Sequence, residues 1–343
     1  MAAIQKALDR ILEGSHLSAE QAEECIGEIM AGVVGEALLA AFLTALRIKG
    51  ETPEEIAAFA SVLRKQARNV PTRQPRLLDT CGTGGDGLES FNVSTLAALV
   101  AAGAGAVVAK HGNRAVSGKC GSADLLAYLG VEIECAEETV GRCLDEAGIG
   151  FLFAPALHPA LHHAAPVRRA LGFRTVFNLV APLAHPAGAR FQLVGVYDRS
   201  RVEPVARALK VLGSERALVV HGLDGMDEIT TTAPTVVAEL DRGEVSTYQL
   251  DARDLDVARA DLSQLKGGDI ATNAAIARSI LAGEPGPRRD LVLVNAAAAL
   301  WAAGKVGDLA QGMVLAKSSL DSGAAAGKLE DLRRLTALPR KCR

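Results

Sequence analysis

The sequence predicts an α/β protein: a small, all-helical N-terminal domain plus a large domain with a central, mainly parallel sheet flanked by helices. Apolar residues recur at helical spacing throughout residues 1–70. Beyond a linker at residues 71–75, short apolar runs alternate with helical patterns, which is typical of a sheet covered by helices on both faces. The chain of 343 residues is 49% hydrophobic but only 3% aromatic, which favours closely packed helices on a sheet. We therefore expect domains at residues 1–72 and 73–343.

Four helices are predicted in the N-terminal domain, and two of them begin at clear caps. Ser18 and Gln21 have the spacing of a capping box. Thr52 supplies an N-cap, followed by proline at N1 and Glu55 at N3. The domain contains no group of residues suited to chemistry, so we expect it to serve packing or oligomerisation.

The apolar stripes of these helices are expected to exceed what one small helical layer can bury. A dimer contact that includes Leu39 and Leu43 would cover the surplus. The stripes consist of Ile4, Leu8, Ile11 and Leu12, then Leu38, Leu39, Phe42, Leu43 and Leu46, then Ile56, Phe59, Ala60 and Leu63.

The second domain alternates strands and helices until residue 155, and again after residue 186. From Asp269 onward the pattern is helical, with a break at residues 283–287. The segment between residues 155 and 186 interrupts the alternation with helix and loop. Predicted strands cover 77–79, 106–109, 151–153, 193–197, 217–220 and 245–250, and predicted helices cover 94–102, 123–129, 137–147 and 203–212.

Composition excludes several classes of protein. The formal net charge is −3, from 37 basic and 40 acidic residues without a basic tract, which argues against nucleic-acid binding. The first ten residues lack the apolar core of a signal peptide, and no run of 18 apolar residues could span a membrane. The six cysteines form no C-x-x-C pair, which argues against a metal cluster and favours free thiols in a reducing cytoplasm.

A glycine loop at residues 82–87, Gly-Thr-Gly-Gly-Asp-Gly, is the strongest functional signal. Four glycines in six residues follow an apolar run, and a helix is expected to start near Ser94. Glycine lets the backbone take positive φ and approach a ligand closely, and successive amides together with a helix N-terminus bind anions. We interpret the loop as a phosphate cradle, since a plain strand-to-helix turn needs only one or two glycines.

Two familiar phosphate motifs do not fit this loop. The spacing of Gly82, Gly84 and Gly87 matches G-x-G-x-x-G, but the helix starts too late and no acidic residue follows the second strand. A P-loop would need a lysine and a hydroxyl residue at the end of the loop. Instead, a second loop at residues 110–122 brings three cations, Lys110, Arg114 and Lys119. This basic loop suits a pyrophosphate, and Ser122 is a plausible N-cap for the helix after it.

Two further groups of residues could carry chemistry. Asp227 and Glu228, the acid pair, follow a predicted strand, and adjacent carboxylates at such a position suit Mg²⁺ held together with substrate phosphates. Arg168 and Arg169 could grip a carboxylate or pair with a surface acid, and the residues alone favour neither. The histidines at positions 158, 162 and 163 lack a carboxylate at matching spacing, so we do not expect a metal there.

In this order, GTGGDG with FNVST, KHGNRAVSGKCGSADLL and GMDE resemble the anthranilate phosphoribosyltransferase family over nearly the whole chain. The resemblance implies homodimers joined through the helical domain, and a crossover segment at about 158–186 that returns to it. It implies transfer of a phosphoribosyl group from phosphoribosyl pyrophosphate to anthranilate in tryptophan biosynthesis, with Mg²⁺, two ions per site, as cofactor. Two alternatives stay open: a pyrimidine nucleoside phosphorylase-like enzyme of the same fold, and a relative that binds nucleic acid.

The resemblance also implies roles for individual residues. Anthranilate would meet Gly82, His111, Asn113, His158 and Arg168, and Mg²⁺ would meet Ser94, Asp227 and Glu228. No general base is implied. Phosphoribosyl pyrophosphate would meet Gly82, Gly84, Gly85, Asp86, Ser90, Asn92, Val93, Ser94, Thr95, Lys110, His111, Gly112, Asn113, Arg114, Ser117, Gly118 and Ser122.

The chain departs from the family pattern at three positions. Gly118 replaces a serine that would offer a hydroxyl to phosphate. Ala181 replaces glycine and His185 replaces asparagine in a Gly-Pro-Leu-x-Asn-Pro motif. We expect the reaction to survive these changes, with altered substrate affinity.

Overall fold

Four helices form the N-terminal domain in the computed structural model, which describes residues 2–115 and 118–337. The predicted capping box of Ser18 and Gln21 and the predicted N-cap Thr52 are confirmed: the hydroxyl of Ser18 accepts from the Gln21 amide, and that of Thr52 from the Glu55 amide. These bonds satisfy amides that a helix start leaves unpaired. The helices are α1 (Ala3–Leu12), α2 (Ala19–Met30), α3 (Glu36–Lys49) and α4 (Pro53–Gln66).

The prediction that Leu39 and Leu43 belong to a surplus of apolar surface is wrong. Leu39 and Leu43 are 2% and 1% exposed, because α3 packs its stripe inside the domain. Phe42 and Phe59 meet edge to face there, with ring centroids 6.5 Å apart. Apart from the exposed Leu12 and the half-buried Leu38, the stripe residues are therefore buried within one chain, and a substitution of Leu39 or Leu43 would disturb folding before it disturbed any dimer.

A seven-stranded sheet forms the centre of the second domain, in the order β3-β2-β1-β4-β5-β6-β7. The first five strands pair in parallel, and the last two are antiparallel, so the sheet is mainly parallel as predicted. Its strands are β1 (Leu78–Asp79), β2 (Val108–Gly112), β3 (Ile149–Phe153), β4 (Phe191–Gly195), β5 (Arg216–Gly222), β6 (Thr235–Asp241) and β7 (Glu244–Leu250).

Two predicted strand assignments need correction. Strand β2 runs on to Gly112, which lies opposite Phe153, so Lys110 and His111 belong to the strand rather than to the basic loop. Strand β6 was not predicted. It forms a hairpin with β7 through Arg242 and Gly243, whose φ angles of +49° and +79° match the tight turns that join antiparallel strands.

Helices cover both faces of the sheet, as predicted. Helix α13 is buried along nearly its whole length and packs against α5, while α11 packs on the strands β5 and β6. The remaining helices are α5 (Val93–Gly103), α6 (Ser122–Tyr128), α7 (Glu137–Ala147), α8 (Ala154–Leu157), α9 (Ala165–Leu171), α10 (Val176–Val180), α11 (Val202–Val211), α12 (Ile270–Leu281), α13 (Pro287–Ala302), α14 (Leu309–Asp321) and α15 (Ala324–Thr336).

The segment that interrupts the alternation packs against the N-terminal helices. Helix α9 contacts α3, and α10 contacts both α3 and α4. Val167, Phe177 and Leu179 join the apolar core that the N-terminal helices share with α11 and one face of the sheet. Among residues 2–115 and 118–337, no helix has the length and apolar character needed to cross a membrane.

Candidate active site

The predicted site residues gather at the carboxyl ends of the central parallel strands. The glycine loop follows β1, the basic loop follows β2, and the acid pair follows β5. Strand order reverses between β1 and β4, so the connections from these two strands leave towards opposite sides of the sheet. Open α/β sheets bind their ligands in the crevice at such a reversal.

The glycine loop lies against the backbone of the neighbouring strand. The Thr83 amide donates to the carbonyl of Gly195 at 2.8 Å, and the Gly84 amide donates to Oδ2 of Asp227 at 2.8 Å. A Cβ on Gly82 would lie 3.1 Å from the Gly195 carbonyl and 3.2 Å from the Asp227 carboxylate. Gly84 and Gly85 have φ angles of +65° and +76°, which residues with a Cβ rarely adopt. The loop therefore needs glycine both for space and for conformation.

The second half of this connection leads to the start of α5. Asp86 accepts from the Leu88 amide, and Ser90 forms a bridge with Lys266 that ties the loop to a later segment. Asn92, at the N-cap of α5, does not cap the helix and donates its side-chain amide to the Cys120 carbonyl instead. The positive end of the α5 dipole therefore faces the cleft without a side-chain cap. This end begins with Val93, Ser94 and the buried Thr95.

The basic loop is joined to α6 through Asn113, whose carbonyl accepts from the Ala123 amide and the Ser122 hydroxyl. The predicted N-cap role of Ser122 is wrong. Gly121 occupies that position, because its amide bonds to the Asp124 carboxylate at 2.9 Å and Ser122 is the first helical residue. Gly118 is exposed with open space beside it, whereas Ser117 lies outside the described residues.

The three cations predicted for the basic loop, of which Lys110 lies on β2, are already engaged. Arg114 pairs with Asp124 at 3.3 Å and with Glu134 at 3.4 Å, and Lys119 pairs with Glu89. Lys110 is 4% exposed and donates its ammonium group to the carbonyls of Thr80 and His111. Its charge stabilises the carboxylate forms of Asp79 and Glu228, so the buried Lys110 contributes positive charge to the floor of the cleft.

Three carboxylates, those of Asp86, Asp227 and Glu228, interact through their charges beside the N-terminus of α5. Burial, then the nearby charge of Asp86, raises the pKa of Asp227 to about 7. Burial, then the charge of Asp227, raises the pKa of Glu228 well above its ordinary value, while Lys110 and the Ser94 amide oppose the rise. In residues 2–115 and 118–337, Oδ2 of Asp86 is buried without a hydrogen-bond partner. Each carboxylate that ionises makes ionisation of the others less favourable, a bound cation would offset this effect, and hard oxygen donors suit Mg²⁺.

Comparison with known proteins agrees with this arrangement. The sequence model of the glycosyl transferase family α/β domain matches residues 74–326, and that of its helical bundle domain matches residues 5–67. An anthranilate phosphoribosyltransferase from Moorella thermoacetica is 53% identical over 95% of this chain and 96% of the relative. The chain belongs to the anthranilate phosphoribosyltransferase family.

Solved structures of the family superpose closely on this fold. The crystal structure of anthranilate phosphoribosyltransferase from Thermus thermophilus aligns with a TM-score of 0.92 at 46% identity, covering 98% of this chain and 99% of that one. The enzyme from Saccharomyces cerevisiae, solved in complex with PRPP and Mg, aligns with a TM-score of 0.88 at 28% identity over 98% of each chain.

His185, which departs from the family motif, is accommodated in the core. The ring is 1% exposed and accepts from the Ala189 amide through Nδ1, so Nε2 carries the proton and donates to the Ala109 carbonyl at 2.8 Å. Burial lowers the pKa of His185 to about 4, which keeps the ring neutral. Ala181, the second departure in this motif, is partly exposed at the C-cap of α10.

His111 and His158 lie together, on the side of the cleft that adjoins the crossover segment. Their ring centroids are 5.4 Å apart, and His185 lies 5.8 Å from His111. Burial lowers the pKa of His158 to about 4 and that of His111 well below its ordinary value. Within the described residues, both ring nitrogens of His111 and Nε2 of His158 lack partners, so this pocket has unused donors or acceptors. His162 and His163 stack on each other outside this group.

Arg168 is available for a ligand. Its guanidinium lies 5.2 Å above the ring of Phe177, and burial lowers its pKa. In residues 2–115 and 118–337, no acidic side chain forms an ion pair with Arg168. No hydrogen bond joins Arg168 to Asn113 in these residues either. The side chain of Asn113 accepts from the Arg114 amide instead.

Asn295, which supports the acid pair, was not predicted from the sequence. Asn295, fully buried on α13, accepts from the Ile229 amide at 3.0 Å and donates to the Ile229 carbonyl at 2.9 Å. Ile229 directly follows Glu228, so α13 holds the loop that carries the acid pair. Asp224 supports the same loop through the hydroxyls of Thr230 and Thr232. An asparagine within an alanine-rich helix was the available signal, but its partner lies 66 residues away.

Proposed function

We propose that this protein transfers the 5-phosphoribosyl group of phosphoribosyl pyrophosphate to the amine of anthranilate, releasing pyrophosphate. The observation that carries the proposal is the meeting of the glycine loop, the N-terminus of α5 and the acid pair in one cleft, joined by the bond from the Gly84 amide to Asp227. That combination suits a substrate with several phosphates and a metal ion. Family membership supports the identity of the two substrates.

The acid pair would hold Mg²⁺, with Ser94 beside it. The residues fit the ion, because the charges of Asp86 and Asp227 each raise the pKa of a neighbouring buried carboxyl, and a buried oxygen of Asp86 has no hydrogen-bond partner among the described residues. When bound, Mg²⁺ neutralises charge on a leaving diphosphate. Two ions per site, the number that the family resemblance implies, remains our proposal.

In the reaction, a bond forms between the anthranilate nitrogen and C1 of the ribose, and the bond from C1 to the pyrophosphate oxygen breaks. The aromatic amine needs little activation, so the protein contributes orientation and charge stabilisation. The glycine loop and the amides of α5 would hold phosphate oxygens, and Lys110 would add positive charge from below. We assign no general base, because the nitrogen becomes acidic once its bond to C1 forms, and its proton passes to the released pyrophosphate or to water.

Anthranilate would occupy the side of the cleft that faces the crossover segment. Arg168 is the group suited to its carboxylate, since its guanidinium has no acidic partner among the described residues. Gly82, Asn113 and the neutral rings of His111 and His158 would border the same pocket. The alternatives of a nucleoside phosphorylase-like enzyme and a nucleic-acid-binding relative provide no use for the acid pair.

We further propose a homodimer joined through the N-terminal domain, and a cytoplasmic location. With Leu39 and Leu43 buried, the dimer contact would rest on the apolar side chains that stay exposed. Leu12 and Ile48 are 71% and 81% exposed. They lie at one end of the domain, where Lys49 on α3 reaches His16 just after α1.

The reaction can be followed through the fluorescence of anthranilate. With phosphoribosyl pyrophosphate and Mg²⁺, anthranilate should disappear and pyrophosphate should appear in equal amounts. Chelation of Mg²⁺ should stop both changes. No loss of anthranilate under these conditions would refute the proposed function, and release of ribose 1-phosphate from a pyrimidine nucleoside would support the alternative enzyme.

A further inference from the structure

Arg174 lies at the edge of the glycine loop but belongs to the segment that packs against the N-terminal helices. Its guanidinium sits 4.2 Å from the centroid of the Tyr197 ring. A Cβ on Gly85 would lie 3.3 Å from one terminal nitrogen of that guanidinium. A half-buried cation therefore faces the part of the loop whose backbone has positive φ.

Tyr197, the residue on which Arg174 stacks, is held by two hydrogen bonds. The Tyr197 amide donates to the hydroxyl of Thr83 in the glycine loop at 3.0 Å. The Tyr197 hydroxyl accepts from Arg47 on α3 at 3.3 Å. An arginine stacked on an aromatic face keeps the edge of its planar fork free for an oxyanion.

A free cation beside the glycine loop would balance the negative charge there. Arg114 and Lys119 are paired with carboxylates, and Lys110 is buried among carbonyls. Within the described residues, Arg174 forms neither an ion pair nor a hydrogen bond, whereas Asp86, Asp227 and Glu228 add negative charge. A substrate that brings further negative charge to this loop needs a donor from another part of the chain.

We propose that Arg174 donates its guanidinium fork to a phosphate of phosphoribosyl pyrophosphate held by the glycine loop, so that the crossover segment contributes to both substrates. The inference rests on the proposed function. Arg174 would bind a phosphate, and Arg168 would bind the anthranilate carboxylate. Two arginines of the same segment would thus serve different substrates.

Calorimetric titration of phosphoribosyl pyrophosphate with Mg²⁺ into Arg174→Ala tests the assignment. The dissociation constant should rise on the order of 10- to 100-fold, as expected for the loss of a charge-assisted bidentate contact. The KM for anthranilate should change by less than about twofold, because that contact stays intact. Arg174→Lys keeps the charge but loses the planar fork, and should fall in between. Arg169→Ala, an exposed arginine of the same segment, should bind like the wild type.

Separate titrations with inorganic pyrophosphate and with ribose 5-phosphate identify which phosphate Arg174 contacts, since only one of the two should weaken in Arg174→Ala. Unchanged affinity for phosphoribosyl pyrophosphate, in a wild type that binds it, would overturn this inference alone. Equal weakening of both substrates with a lowered unfolding temperature would assign a structural role and also overturn it. If Arg174→Ala does not fold, Arg174→Lys serves the same comparison. A wild type that does not bind phosphoribosyl pyrophosphate would overturn the proposed function as well.

Discussion

At the scale of single residues, Arg168 offers the clearest test of how the two substrates are separated. A charge-assisted hydrogen bond is worth about 1.5–3 kcal/mol, so Arg168→Ala should weaken anthranilate binding by roughly 10- to 150-fold. The carboxylate keeps its charge through the reaction, so KM for anthranilate should rise more than kcat falls. Calorimetry with each ligand measures the effect, with the exposed neighbour Arg169→Ala as control. Equal loss for both substrates would reject the carboxylate role.

His185 makes the stability of the protein depend on pH. Its pKa is lowered to about 4 in the fold, so the unfolded chain binds the proton more readily. The stabilisation is complete above about pH 6.5 and is lost as the pH falls towards 4, at a cost on the order of 3 kcal/mol. The asparagine that the family motif has at this position does not titrate, so it does not make stability depend on pH.

Urea unfolding at pH 7.5 and 4.5 should therefore show a larger acid loss for the wild type than for His185→Asn. The exposed His162→Asn should behave like the wild type. An identical acid loss in wild type and His185→Asn would contradict the buried neutral ring.

At the scale of elements, the loop after β5 depends on α13. Asn295→Leu would leave the amide and carbonyl of Ile229 unpaired, at a cost of about 1–3 kcal/mol. Because Ile229 follows Glu228, we expect the apparent affinity for Mg²⁺ and kcat to fall on the order of 10-fold.

Thr336→Val provides a matched control for this prediction. Thr336 is buried on α15 and bonds to the Leu332 carbonyl and the Glu132 amide. It should lose stability of similar size without a change in Mg²⁺ dependence, as measured by activity against Mg²⁺ concentration. If both variants showed the same dependence of activity on Mg²⁺ concentration, Asn295 would have only a structural role.

The elements themselves show what local sequence can predict. The N-terminal helices with their caps and six of the seven strands follow from apolar spacing and caps, because these signals act within a few residues. The extension of β2 to Gly112 depends on pairing with β3, and the hairpin of β6 with β7 depends on antiparallel contacts. The roles of Asn295 and Tyr197 likewise depend on partners far along the chain.

At the scale of the whole molecule, the dimer contact should lie at the exposed end of the N-terminal domain. Ile48→Glu combined with Leu12→Glu should yield monomers in light scattering, because two charges cannot be buried in an apolar contact without partners. Both side chains are exposed in one chain, so the fold should persist, which circular dichroism can verify. A dimer that survives these changes would put the interface elsewhere.

In the proposed mechanism, the cleft holds phosphoribosyl pyrophosphate through a metal on the acid pair. Asp227→Asn combined with Glu228→Gln keeps the shapes and removes the charges. Since burial and mutual repulsion raise the pKa of both carboxyls, the charged forms cost stability at neutral pH, and their removal should stabilise the fold.

The deciding measurement is calorimetric titration of phosphoribosyl pyrophosphate, with and without Mg²⁺, into wild type and this double variant, beside their thermal unfolding. We predict Mg²⁺-dependent binding in the wild type and at least about a 30-fold loss in the variant, the equivalent of ~2 kcal/mol, together with an equal or higher unfolding temperature. Full affinity and unchanged Mg²⁺ dependence in a destabilised variant would contradict the account, because the acid pair would then serve the fold rather than the metal.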